Sequence, residues 1–194
     1  MHDTQIHSMN SIEQLKAKTE QFSRVLDEFP EIRYLGDPVL RTPAEQVELE
    51  EGIEIGNKLG SILVRYRNMV GYGRGLAAPQ IGLSKAVFVT YLNDQMQIYT
   101  NPKIIESSQK QNLYRELCLS SGLMWADVRR SATITMQWTD SKGQNQHQEA
   151  TDTLARLWLH EEAHLRGIPN LDQAEPGTIE FALSDPLKEK IRLS

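Results

Sequence analysis

One cysteine, Cys118, occurs in 194 residues, which excludes an intramolecular disulfide framework and suits a reducing compartment. Basic residues are outnumbered, 21 Lys and Arg against 26 Asp and Glu. The resulting net charge of -5 leaves no electrostatic footprint for nucleic acid or an anionic membrane. No apolar run approaches the ~20 residues of a membrane span, and residues 1–10 are too polar for a signal peptide. A cytoplasmic protein is the expectation. Internal repeats and an obvious linker are also missing, so 194 residues read as one core rather than two.

Hydrophobic patterning supplies the elements. Ile12, Leu15, Phe22, Val25, Leu26 and Phe29 fall at helical spacing behind a possible cap at Ser11, and Pro30 ends the run. Asp37 to Arg41 reads as a turn into a short extended piece. A second amphipathic helix is expected over 52–70, with Ile55, Leu59, Ile62, Leu63 and Tyr66 inward. The β-branched run 86–92 predicts a buried strand, 97–100 and 103–106 two strands around Asn101-Pro102, and 132–138 another. A hairpin turn at Asp140-Ser141-Lys142-Gly143 leads into 146–153. A helix over 154–167 follows, closed by Gly167, and Ser184-Asp185-Pro186 opens a short last helix. Strands precede the main helix in a run, so the class expected is α+β, with mixed or antiparallel sheets around that helix and an extra helix at the N-terminus.

The main helix carries His160-Glu161-Glu162-Ala163-His164, an H-E-x-x-H. Residues four apart share a helix face, so His160 and His164 present two imidazoles to one ion, with Glu161 beside them to handle the protons of an activated water. Two histidines are not a complete site. Asn170 stands where one pattern would place a third His, Glu180 and Glu189 are the downstream carboxylates, and Cys118 offers a thiolate. On residue chemistry alone these stay open, and a lone Cys is often an inert buried thiol.

Two further stretches narrow the choice. Gly73-Arg74-Gly75-Leu76-Ala77-Ala78-Pro79-Gln80, Glu116-Leu117-Cys118-Leu119-Ser120 and the H-E-x-x-H occur in that order. Together they resemble the three motifs of peptide deformylase, G-x-G-L-A-A-x-Q, E-G-C-L-S and H-E-x-x-H. The resemblance runs from about Gly36 to about Asp172. It implies a catalytic domain over 36–194 with residues 1–35 as an extension. It also implies that Cys118, His160 and His164 bind one divalent metal, Fe2+ in many members, with Zn2+, Ni2+ or Co2+ able to substitute. Glu161 would carry the water proton to the leaving amine. Gln80 and the Leu119 N–H would stabilise the oxyanion, and Glu116 and Arg130 would pair to fix the Cys118 segment. The implied substrate is a formylated peptide, or a smaller formylated compound, with formate released. A transient ribosome contact is among the partners the resemblance allows.

Departures concentrate on the substrate side. Leu117 replaces a motif glycine, so either a side chain enters the substrate path or the strand has shifted. Gly122 stands where Pro is frequent, and Trp125 where many members have Arg. Gly75 would let substrate backbone approach. Arg156 and Leu157 fall where an apolar side-chain pocket is expected. Arg156 there either snorkels to solvent or pairs with a local carboxylate, leaving the pocket apolar, or it meets an acidic group on the substrate. A zincin-type metallopeptidase and a silent deformylase-like binding protein are the competing readings.

Overall fold

The structure is a computed structural model that describes residues 11–182. The tail read at 1–10, the helix opening at Ser184 and the candidate ligand Glu189 lie outside the described residues. The spacing of Leu15, Phe22 and Val25 produces α1, Ser11–Glu28, and Phe29 follows its last turn. The extended piece expected after Asp37 is instead a 3-10 turn, Pro38–Arg41. The reason is local: the Asp37 side chain accepts the Val39 N–H, and the fixed φ of Pro38 suits a first helical position. Helix α2, Leu49–Val70, begins a turn earlier than the apolar pattern. Glu50 and Glu51 in its first turn complement the helix dipole. Gly52, Gly56 and Gly60 form a bare stripe on α2. Side chains there would collide: Cβ atoms at Gly52 and Gly56 would come within 2.5 Å of Thr100 and Ile98.

Eight strands follow among the described residues: β1 Gly75–Ala77, β2 Val87–Leu92, β3 Gln95–Ser107, β4 Gln111–Leu117, β5 Met124–Ser131, β6 Thr133–Thr139, β7 Asn145–Thr151 and, after the third helix, β8 Glu180–Phe181. The two strands expected around Asn101-Pro102 are one, β3, whose pairing with β6 shifts between Thr100 and Lys103. Proline lacks a ladder donor and is tolerated at such an irregularity. Asn101 holds the bend by exchanging hydrogen bonds with the Val47 backbone, 3.0 and 2.8 Å. Strand β5 was not expected, because Asp127, Arg129 and Arg130 interrupt its alternation; two of them, Asp127 and Arg130, are buried in ion pairs.

All ladder pairings are antiparallel, in the orders β1-β2-β3-β6-β7 and β4-β5-β8. Helix α3, Asp152–Leu165, lies between the two sheets. Towards the larger sheet it presents Trp158, which packs edge-on against Tyr99 and Trp138 and donates its indole N–H to the Tyr99 hydroxyl at 3.1 Å. Burying such a ring contributes roughly 2–3 kcal/mol. Towards the smaller sheet it presents Arg156 and His160. Gly167 ends the helix region as expected, with φ +74° and its N–H donated to the His164 carbonyl. The architecture is α+β with an N-terminal helix. Among the described residues no helix is long and apolar enough to cross a membrane.

Candidate active site and metal centre

Three chain segments converge where the sheets meet. Helix α3 carries His160, Glu161 and His164, the end of β4 leads into Cys118, and a 3-10 turn after β1, Ala78–Ile81, carries Gln80. One donor atom from each of Cys118, His160 and His164 lies within 4.8 Å of the others, and the Cys118 Sγ is 3.2 Å from His164 Nε2. A thiolate and two imidazoles form a donor set that suits Zn2+, Fe2+, Co2+ or Ni2+ and leaves coordination positions open. The set could therefore hold a divalent ion. Asn170 is not part of it: its amide oxygen accepts the Ser121 hydroxyl at 2.6 Å. Glu180 is not part of it either, since it sits exposed on β8 and pairs with Arg115 at 3.2 Å.

Hydrogen bonding sets the ligand tautomer. His160 Nδ1 is 2.8 Å from Glu116 Oε2, and a carboxylate there can only accept. Nδ1 therefore carries a proton, and in the neutral ring the Nε2 lone pair is the one that could bind an ion. Burial works against charge on His160, but Glu116 outweighs it and raises the imidazole's pKa to about 10. Ligand binding at His160 thus competes with a proton. Burial alone would raise the Cys118 thiol; His164 and His160 instead hold it well below the usual thiol range. Burial pushes the Glu161 carboxyl up to about 7.

Glu116 is the hub of a buried network. Arg130 grips it with two hydrogen bonds, 2.7 and 2.9 Å, as the motif pairing implies. Arg156 joins the same carboxylate through Nη1. That nitrogen also meets the Val128 carbonyl at 3.0 Å, while Nη2 takes the Asn112 carbonyl and side chain at 2.8 and 2.7 Å. The guanidinium lies 4.5 Å from the Tyr114 ring centroid. Arg156 thus pairs with the local carboxylate, and both of its terminal nitrogens donate to protein acceptors. Asn112 and Tyr114 share one face of β4 with Glu116, a period-two relation that could have linked them to the motif glutamate. They carried no signal of their own.

Gln80 is buried, and its carbonyl oxygen accepts the Ala77 N–H at 2.8 Å. This turns the amide nitrogen towards Cys118 Sγ and Ser120 Oγ, 3.4 and 3.3 Å away. Leu119 opens the next 3-10 turn, Leu119–Ser121, and a first-turn N–H has no partner within the turn. Gly75 has a reason beyond substrate approach. A Cβ there would lie 2.2 Å from Glu161 Oε1, so the motif glycine makes room for the glutamate itself.

A cavity of about 410 Å³ opens over this cluster. Gly75, Leu117, Leu119, Arg156 and Leu157 all line it, as do Gln80 and Glu161. Leu117 pairs with Trp125 at the end of an unbroken β4–β5 ladder, and its side chain borders the cavity. Trp125 is buried under the Arg115 guanidinium, 5.0 Å from its ring centroid.

Fold and site together define an α+β hydrolase with a candidate metal centre on its central helix. The chain matches the family model described as polypeptide deformylase over residues 29–179. It is 35% identical over 164 residues to the peptide deformylase of Pseudothermotoga lettingae, covering 84% of this chain and 92% of that protein. To the peptide deformylase of Treponema pallidum it is 35% identical over 147 residues, 75% of this chain and 88% of that one. Among solved structures, the Thermotoga maritima peptide deformylase superposes with a TM-score of 0.67 at 30% identity, covering 75% of this chain and 97% of that chain. The Synechococcus elongatus peptide deformylase in complex with actinonin also superposes with a TM-score of 0.67, at 31% identity, covering 75% and 79%. The chain therefore belongs to the polypeptide deformylase family, whose members are metal-dependent, and it hydrolyses the amide bond of an N-formyl peptide.

Proposed function

We propose that the chain deformylates formyl-methionyl peptides, or a narrower formylated substrate, at one divalent ion held by Cys118, His160 and His164. The convergence of those three donors beside the buried Glu161 carries the reading. Ferrous iron is the ion preferred, with zinc, nickel and cobalt as substitutes. Such an ion supplies Lewis acidity and makes hydroxide available near neutral pH. Glu161 takes the water proton and hands it to the leaving amine nitrogen. Among the described residues its Oε2 has no protein partner, which leaves that oxygen to the reacting groups. The Gln80 amide and the Leu119 N–H donate to the oxygen of the formyl group as it gains charge; one such donor typically contributes about 3 kcal/mol to the transition state. Glu116, gripped by Arg130 and Arg156, orients His160. Gly75, Leu117 and Leu157 border the bound peptide. The division into a 1–35 extension and a 36–194 catalytic domain is part of this reading. So are a cytoplasmic location and a transient ribosome contact.

The test is formate release from formyl-Met-Ala by anaerobically prepared, metal-loaded protein. Because Arg156 is committed to Glu116 and Asn112, formyl-Met-Ala is expected to exceed formyl-Glu-Ala in kcat/KM, with Arg156→Leu keeping that order. A preference for formyl-Glu that reverses in Arg156→Leu would make Arg156 a receptor for substrate carboxylate.

Leu117 should impede longer substrates, since its side chain borders the cavity at the end of β4. Leu117→Gly is therefore expected to raise kcat/KM on a long formyl peptide by about tenfold, the scale of a relieved steric clash of 1–2 kcal/mol. An unchanged or lower value on both short and long substrates would remove the obstruction.

A further inference from the structure

Helix α1 precedes the segment 29–179 that matches the family, yet it touches both lips of the cleft. On one lip, the Phe22 ring lies against the bare face of Gly122: a Cβ there would come within 3.0 Å of the ring. Gly122 has φ +61° and ψ -115°, a conformation open to glycine, and its N–H closes the 119–121 turn on the Leu119 carbonyl at 3.2 Å. Phe22 also stands edge-on to Tyr34, with centroids 5.4 Å apart. The next residue, Leu35, donates its N–H to the Ser120 carbonyl at 3.0 Å. The turn that carries the Leu119 N–H is thus buttressed by α1 and by the segment leaving it. On the other lip, Lys18 is one helical turn before Phe22 and holds its Nζ 5.5 Å from the centroid of Tyr72, which lines the cavity beside Gly73 and Gly75. Val25, and Phe29 just beyond the helix, root α1 in the core shared with Leu59, Leu63 and Leu76.

We infer that α1 is a brace across the cleft, with Phe22 as a positioning residue that sets the Leu119 N–H for the reaction. The inference rests on the reading of Leu119 as an oxyanion donor. A donor is effective only within a few tenths of an ångström of its station, so a slackened turn lowers transition-state binding more than substrate binding. Deletion of the ring should therefore act on kcat.

The experiment compares wild type, Phe22→Ala, Phe22→Val and Phe22→Leu as full-length, metal-loaded proteins on formyl-Met-Ala, with metal content and Tm measured for each. Phe22→Ala is expected to lower kcat about tenfold or more with KM within about twofold and metal content unchanged. Phe22→Leu should recover most of the loss, with Phe22→Val between them. If Phe22→Ala does not fold, the Val and Leu variants carry the comparison. A kcat within about twofold of wild type in the smallest folded variant overturns the brace, as does a rise in KM with kcat unchanged. Absence of formate release from wild type itself overturns the deformylase reading and the brace with it, which separates the two failures.

Discussion

Glu161→Gln is expected to keep its metal and to lose about a thousandfold or more in kcat, the scale of a missing general acid–base. Glutamine has nearly the same shape, so it fits the space left by Gly75, where even a methyl group would sit 2.2 Å from the side chain. What it lacks is a proton-carrying oxygen. No other cavity acid can substitute, because the remaining glutamate, Glu116, is occupied by Arg130, Arg156 and His160. The measurement is formate released per bound metal, beside the metal content of both proteins. Normal turnover in Glu161→Gln would remove the glutamate from the mechanism. Loss of metal together with turnover would instead make it part of the ion's binding site.

Cys118→Ala is expected to abolish stoichiometric metal, and turnover with it. The thiol is buried 3.2 Å from His164 Nε2, and the two imidazoles hold it well below the usual thiol range, ready to bind as thiolate. Alanine leaves two imidazoles, which are not a sufficient donor set for a catalytic site. His164→Ala should give the same result, since His164 is fully buried and pairs directly with the thiol. Metal analysis after dialysis, with cobalt absorption as a second probe of thiolate ligation, checks both variants. Metal retained at full occupancy in Cys118→Ala would restore the zincin-type alternative. That alternative needs a downstream carboxylate, and Glu180 is engaged by Arg115 on the far strand β8.

Much of the candidate site could be read from residues alone because helix geometry is a local property. Four-residue spacing places His160 and His164 on one face whatever the rest of the chain does. Three ordered motifs then pointed to Cys118 and Gln80, although 38 residues separate that pair. The three helices and strands β2, β6 and β7 were visible for the same reason, as was β3 in two pieces: apolar periodicity is written within each element. Strand β5 was hidden because its buried Asp127 and Arg130 read as surface charge; only partners from other segments make their burial tolerable.

Packing between segments decided the rest. Cys118, rather than Asn170 or Glu180, stands with the two histidines because the smaller sheet delivers the end of β4 to α3. Arg156 was ambiguous as a single residue. Whether a guanidinium faces substrate or protein depends on acceptors 28 to 44 residues away, at Val128, Glu116 and Asn112. The need for glycine at position 75 likewise becomes visible only when α3 places Glu161 against it. Residue chemistry and helical spacing determined which groups this chain can offer to an ion and a formyl amide. Tertiary structure alone decided which of them meet, because contact across tens of residues is set by how α3 lies between two sheets and leaves no trace in local periodicity.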